Sequence, residues 1–208
     1  RGIILDRNGQ MLVDNRPSYD LSIIPRDAKP VDETLARLST YIKVPAEELN
    51  EQIKSQKGAL SYKPVPLVQD IGRDNLALVE VHRYDLPGID VNVKPLRHYL
   101  NHQSASHLLG YLGEISPREL NSGRYTDLRS GDLIGKNGIE RYYEDALHGT
   151  SGIEKVETNS AGRTLQVLER TPPVHGDDLV LSLDLEVQRA AWDALGERAG
   201  AVVAIDPN

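Results

Sequence analysis

The sequence predicts an α+β fold in which β-hairpins alternate with short helices. Two pairs of apolar, β-rich runs, within 3–12 and 153–169, enclose turn chemistry: Asn8-Gly9 in the first and Asn159-Ser160-Ala161-Gly162 in the second, the pattern of hairpins. Between them the apolar spacing changes to the three-and-four step of a helix face, as at Leu35, Leu38 and Ile42. No internal repeat or low-complexity tract interrupts the alternation, and the mixture of element types argues against a sandwich or a bundle.

The elements follow in order. Asn8-Gly9 tolerates positive φ at both turn positions and so closes the first hairpin. Asp32 is placed to cap the helix carrying Leu35, Leu38 and Ile42, and Pro45 suits the first turn of a second helix through Leu49 and Ile53. Gly58, Pro64 and Pro66 mark a loop and a weak or edge strand. Asp74 is placed to cap a third helix, with Leu76 and Val79 inward. Residues 89–93 alternate as a strand, 104–112 and Pro117–Leu120 read as short helices, and 123–131 form a polar loop.

The consecutive prolines of Thr171-Pro172-Pro173 stiffen a boundary. They divide the chain into domains 1–173 and 174–208. Beyond them come a strand at 179–183, the helix Leu185–Leu195 with Leu185, Trp192 and Leu195 on one face, and an apolar strand at 201–205 with no partner strand after it.

Composition narrows the function. At 208 residues the chain has room for one large domain or two small ones. Hydrophobic residues make up 39%, but Phe is absent and Trp occurs once, so the core rests on Leu, Val and Ile with Tyr at its margins. The net charge of −7 argues against a nucleic-acid partner, because neutralising phosphates takes clustered Lys and Arg. The absence of cysteine excludes disulfides, thiolate catalysis and Cys-ligated zinc. No apolar run approaches the ~18–20 residues of a membrane span. No signal peptide is evident, and the chain starts on Arg1, which reads as a boundary left by processing or truncation.

The most informative stretch is 135–163. Asn137 precedes Glu140 by three residues, a variant of the capping box. Ile139, Tyr143, Ala146 and Leu147 then share a helix face, while Arg141 and Asp145 are spaced to pair on the other. Gly149 is placed to end the helix in a left-handed conformation. Arg163 after Gly162 reads as a hairpin-end cation for an acid of the preceding helix, and Tyr142 and Tyr143 are expected to divide between surface and core.

Sharper chemistry is conceivable at three places. Glu140 with Glu144, roughly 6 Å apart at their β-carbons on a helix, or with Asp145, could form a general acid–base pair; the preferred reading has Glu140 capping and the others solvated. His98 and His102 are four apart, with His107 a conceivable third metal ligand, but no Glu follows the first His as in zinc proteases, so surface histidines are preferred. Asp6-Arg7-Asn8-Gly9 could be a contact loop with Asp6 pairing Arg7, although a plain tight turn is preferred. No cofactor, metal or catalytic residue is expected.

The pattern Gly135-x-x-Gly138-Ile139-Glu140-x-x-Tyr143-Glu144-Asp145-x-Leu147-x-Gly149, then Asn159-x-x-Gly162-Arg163, resembles the class B penicillin-binding proteins, the monofunctional peptidoglycan transpeptidases, and among them the elongation type. Four more segments resemble the family in the right order. They are the opening Arg1-Gly2-Ile3-Ile4-Leu5-Asp6-Arg7-Asn8-Gly9-Gln10-Met11-Leu12, then Leu86-Pro87-Gly88-Ile89-Asp90-Val91, His107-Leu108-Leu109-Gly110-Tyr111-Leu112-Gly113, and the tail from Asp178 to Gln188. The family's Ser-x-x-Lys, Ser-x-Asn and Lys-Thr-Gly motifs do not occur.

The resemblance therefore implies a non-catalytic pedestal, residues 1–173, followed by an incomplete strand-helix-strand start of a transpeptidase domain. It implies a location on the periplasmic side of the bacterial inner membrane, a single anchor upstream, and a missing transpeptidase half. The implied partners are a SEDS-family glycan polymerase and a scaffold protein of the elongation machinery, with contacts expected in an exposed groove or sheet edge of 1–135. The alternatives are a stand-alone adaptor of the cell-wall machinery and an unrelated hydrolase using the acidic cluster.

Overall fold

Short elements with one apolar face can bury that face only against one another, and the chain does so in two places. A computed structural model of the chain describes residues 1–55, 62–159 and 164–205. Numbered in chain order, its strands are β1 (Ile4–Leu5), β2 (Met11–Ile23), β3 (Val65–Val68), β4 (Ile89–Tyr99), β5 (Leu112–Glu114), β6 (Leu133–Gly135), β7 (Ile153–Thr158), β8 (Thr164–Thr171) and β9 (Leu179–Val180). Its helices are α1 (Val31–Ile42), α2 (Ala46–Ser55), α3 (Gly72–Val81), α4 (His102–Leu109), α5 (Pro117–Leu120), α6 (Gly138–Tyr142), α7 (Glu144–Leu147) and α8 (Leu185–Leu195). The fold is α+β.

The contacts divide the chain into two units. One comprises Arg1–Asn15, Arg97–Glu154 and Arg170–Asn208, the other Arg16–Leu96 and Lys155–Glu169. β2 and β4 each contribute residues to both.

In the second unit, β3 pairs antiparallel with the end of β2, Leu21 opposite Val68 and Ile23 opposite Val65. Leu35, Leu38 and Ile42 of α1, Leu49 of α2 and Val79 of α3 bury against Leu21, Ile23, Val65 and Leu86, and removal of these side chains from water is the main stabilising term. The helix starts differ from expectation. Pro30 and Ile71 occupy the N-cap positions of α1 and α3 without side-chain cap bonds. Asp32 and Asp74 lie inside the first turns, where a carboxylate still favours the positive end of the helix dipole. The expected loop between α2 and β3 includes residues 56–61, outside the described residues.

In the first unit, β1 lies between β2 and β9, antiparallel to the former with Ile4 opposite Val13 and parallel to the latter with Ile4 opposite Leu179. Ile4, Leu12, Val13, Ala105, Leu109, Leu147 and Leu185 form its core. The strand expected at 89–93 runs on to Tyr99, and the helix expected over 104–112 stops at Leu109. Leu112 instead starts β5, which pairs antiparallel with β6. The strand expected at 179–183 is only two residues of ladder, and none of the described residues at 201–205 joins a strand. β7 and β8, most of whose residues fall in the second unit, pair as a separate two-stranded sheet.

Candidate functional site: a buried ionic hub

The 135–149 block does not make the single capped helix that its spacing suggests. Asn137 is the N-cap of α6, but its side chain accepts from Gly138 N at 2.9 Å, and Glu140 does not reach back to it. The reciprocal box of two bonds is found instead at Ser116 and Glu119, which start α5. The helix is broken at Tyr143 (φ −102°, ψ 26°), where α7 begins. Gly149 ends the block at φ +73°, the left-handed conformation that glycine adopts without steric cost.

The break turns two carboxylates inward. Glu140 is fully buried and Glu144 is 2% exposed, a placement that carboxylates adopt only when paired. Arg1 Nε donates to Glu140 Oε2 at 2.9 Å, and Arg1 Nη2 donates to Glu144 Oε2 at 2.6 Å. From β4, Arg97 Nε donates to Glu140 Oε1 at 2.7 Å, with the Tyr99 hydroxyl at 3.4 Å from the same oxygen. Gly135 N donates to Glu144 Oε2 at 2.7 Å, and His148 Nδ1 lies 3.0 Å from Glu144 Oε1. Backbone atoms complete the frame: Arg97 Nη1 donates to Gly2 O at 2.6 Å, and Asn15 Nδ2 to Arg1 O at 2.7 Å. Two guanidiniums thus balance two carboxylates, with each carboxylate bridging several elements.

The electrostatics follow from that geometry. Burial pushes the Glu144 carboxyl up, but hydrogen bonds from His148, Arg1 and the Gly135 amide more than offset it and hold it at about 2. Burial likewise works against the Arg1 charge, and its pairing with Glu144 and Glu140 leaves its pKa raised. Tyr99 is pushed up to about 12 by burial and by the neighbouring Glu140 charge. A general acid or base needs access to its substrate and a pKa near the working pH; carboxylates sealed under two arginines have no such access. The hub is built to hold chain segments together.

Gly135 shows how tightly. A β-carbon there would lie 2.1 Å from Glu140 O, so only glycine lets β6 approach α6 closely enough for its amide to reach Glu144. Gly138, at φ +57°, provides the turn into α6. Gly2 threads the other side, its amide donating to Leu147 O at 2.8 Å.

The opening turn is a second anchor. Asp6 is fully buried and does not pair with Arg7. Its Oδ1 accepts from Asn8 N and Gln10 N, both at 2.8 Å, and its Oδ2 from Leu185 N at 3.2 Å. Burial raises its pKa, and the amides of Gln10, Leu185 and Asn8 outweigh that and leave it lowered. Arg7 is exposed, and its amide donates to Leu183 O at 2.9 Å. Asn8 Nδ2 reaches Asp184 Oδ2 at 3.2 Å, while Asp184 caps α8 through the amides of Glu186 and Val187. Of the turn dipeptide only Gly9 has positive φ, at +79°, so the loop is the three-residue kind and not the two-residue turn expected.

Other sequence candidates stay outside the hub. Asp145 is exposed and approached by Arg124 at 3.4 Å, not by Arg141. Tyr142 and Tyr143 meet edge to face at 4.9 Å and are both substantially exposed, so neither enters the core. Asn159 follows β7 at the surface, and Gly162 and Arg163 lie outside the described residues. His98 Nδ1 lies 2.9 Å from Asp14 Oδ1, and His107 is exposed. Among the described residues, no group of three or more His, Asp or Glu is placed to hold a metal ion.

Comparison with known proteins places this geometry in context. Residues 1–181 match the penicillin-binding protein dimerisation domain. The full chain is 36% identical to peptidoglycan D,D-transpeptidase MrdA of Acinetobacter baumannii, covering 31% of that protein, and 33% identical to MrdA of Escherichia coli K12, covering 33%. The chain thus spans about a third of the length of the curated relatives it matches. The solved complex between Penicillin-Binding Protein (PBP2) and MreC from Helicobacter pylori is also similar, with a TM-score of 0.74, 25% identity, and coverage of 94% of this chain and 36% of that one.

Proposed function

The chain belongs to the penicillin-binding protein dimerisation domain family, and we propose that it is the pedestal of an elongation-type peptidoglycan D,D-transpeptidase. The end-to-end alignment with MrdA relatives carries this reading. In the whole protein, an active-site serine attacks a D-alanyl-D-alanine stem, releases D-alanine and passes the acyl group to a neighbouring amine. That chemistry needs a nucleophile, a base and an oxyanion hole. None of the three motifs that would supply them occurs in residues 1–208, so the chemistry belongs to another part of the protein.

The contribution of this chain is positional. The hub fixes Arg1 and Gly2 against α6 and α7, so a segment entering at Arg1 from a membrane anchor is held in one geometry. Residues 174–208 open the transpeptidase domain; the exposed Val187, Trp192, Val203 and Ile205 support a face made for the rest of that domain. No helix among the described residues is long and apolar enough to cross a membrane, and the protein works on the periplasmic side of the inner membrane, in maintenance of cell shape. Its partners are a scaffold of the MreC type, a reading supported by the H. pylori complex, and a SEDS-family glycan polymerase.

The test is to express the complete reading frame and label it with fluorescent penicillin. One acylated serine in a Ser-x-x-Lys motif outside residues 1–208 is expected. A frame that yields no penicillin-reactive serine, or label attached within these residues, would overturn the proposal.

A further inference from the structure

Arg97 leaves part of its guanidinium unanswered. Its side chain is 3% exposed. Nε is committed to Glu140, and Nη1 to Gly2 O and to Asn15 Oδ1 at 2.6 and 3.1 Å. Nη2 is buried and has no hydrogen-bond partner among the described residues. A guanidinium carries five donors in a rigid plane, so whatever meets Nη2 must be an acceptor lying close to that plane. Buried polar groups are rarely left unmet, and an ordered water is the usual partner where no protein atom serves.

We propose that Arg97 Nη2 binds one ordered water molecule, which is a fixed component of the hub. Charge balance selects water over an anion. The positive charges of Arg1 and Arg97 are already matched by Glu140 and Glu144, and Arg97 is directly bonded to Glu140. A further anion would bring a third negative charge beside two buried carboxylates, where repulsion is poorly screened. A neutral acceptor answers the donor without that repulsion, and water can pass its own hydrogens onward to a neighbouring oxygen. The assignment rests on the hub alone and stands apart from the transpeptidase reading.

The test is a crystal structure of the chain, grown without sulfate or phosphate and at a resolution that shows solvent. The expected result is a density peak at about 2.7–3.2 Å from Nη2, near the guanidinium plane and as well ordered as the surrounding side chains. In solution, the Arg97 side-chain protons should show a cross-relaxation peak to water of the sign that marks a long-lived hydration site. Direct contact of Nη2 with a protein oxygen, an anion-shaped peak, or an empty position would each overturn the proposal.

Discussion

Arg1 Nη2 lies 2.6 Å from Glu144 Oε2, a pairing that ties the first residue of the chain to a helix far along it. Both side chains are nearly out of water, at 10% and 2% exposure. At such a site the attraction repays the desolvation of the charges only while both partners and their hydrogen bonds are in place. The asymmetry makes the hub readable by mutation.

Glu144→Gln leaves Arg1 short of a charge partner and should destabilise the chain by about 3 kcal/mol, as expected for breaking a buried pair from one side. For a protein of this size that corresponds to a fall in Tm of about 6–12 °C. Pairing Glu144→Gln with Arg1→Met in a double-mutant cycle should give a coupling energy of about 1–3 kcal/mol. Additive losses in urea denaturation would show that the two residues do not act together.

The pH dependence has a definite sign. The folded Glu144 carboxyl sits at about 2 against an ordinary value of 4.5, so its pairing contributes fully above about 4.5. The contribution is lost as pH falls from there through the folded value. Glu119 is also lowered to about 2, by Lys136 and Ser116, but it is present in both the wild type and Glu144→Gln and cancels between them. The unfolding free energy of the wild type should therefore drop more steeply between about pH 5 and pH 2.5 than that of the variant. Parallel curves would contradict the depressed pKa.

Gly135→Ala tests the close approach of β6 to α6. The added methyl would meet Glu140 O at 2.1 Å and disturb the amide that serves Glu144. A loss of about 3 kcal/mol or more is expected from the overlap together with the displaced hydrogen bonds. Gly123→Ala, at φ +76° where Gly135 is not in the left-handed region, and with nothing within 4 Å of the added atom, should cost about 1 kcal/mol from backbone strain alone. Equal losses in thermal denaturation would remove the packing argument.

Asp6→Ala strips the acceptor from three amides, those of Asn8, Gln10 and Leu185. The urea midpoint should fall clearly, and Asp6→Asn, which keeps one carbonyl acceptor, should recover part of the loss. An Asp6→Ala protein as stable as wild type would mean that the opening turn does not anchor α8.

Local signals in the sequence located much of the fold. The α1 face of Leu35, Leu38 and Ile42, the helix α5 and the bounds of α8 agree with expectation, because apolar spacing and turn residues act within a few positions. The family resemblance was legible from the same motif residues that build the hub. The hub itself was not. Glu140 sits where a capping residue would, and nothing nearby reveals that its partners are Arg1 and Arg97, 139 and 43 residues away. The β5–β6 ladder was missed for a related reason, as three residues on each side show no period and a polar loop separates them. At Asn8-Gly9 the composition allowed two hairpin loops, and the amides gathered by Asp6 go with the longer one.

The proposal that this chain is the partner-binding pedestal of a cell-wall transpeptidase is tested most directly by titrating it with the periplasmic part of an MreC protein. Saturable binding that survives Asp145→Ala, a change at the exposed surface of α7 outside the hub, is the predicted result. No measurable binding by a correctly folded wild-type chain would contradict the account.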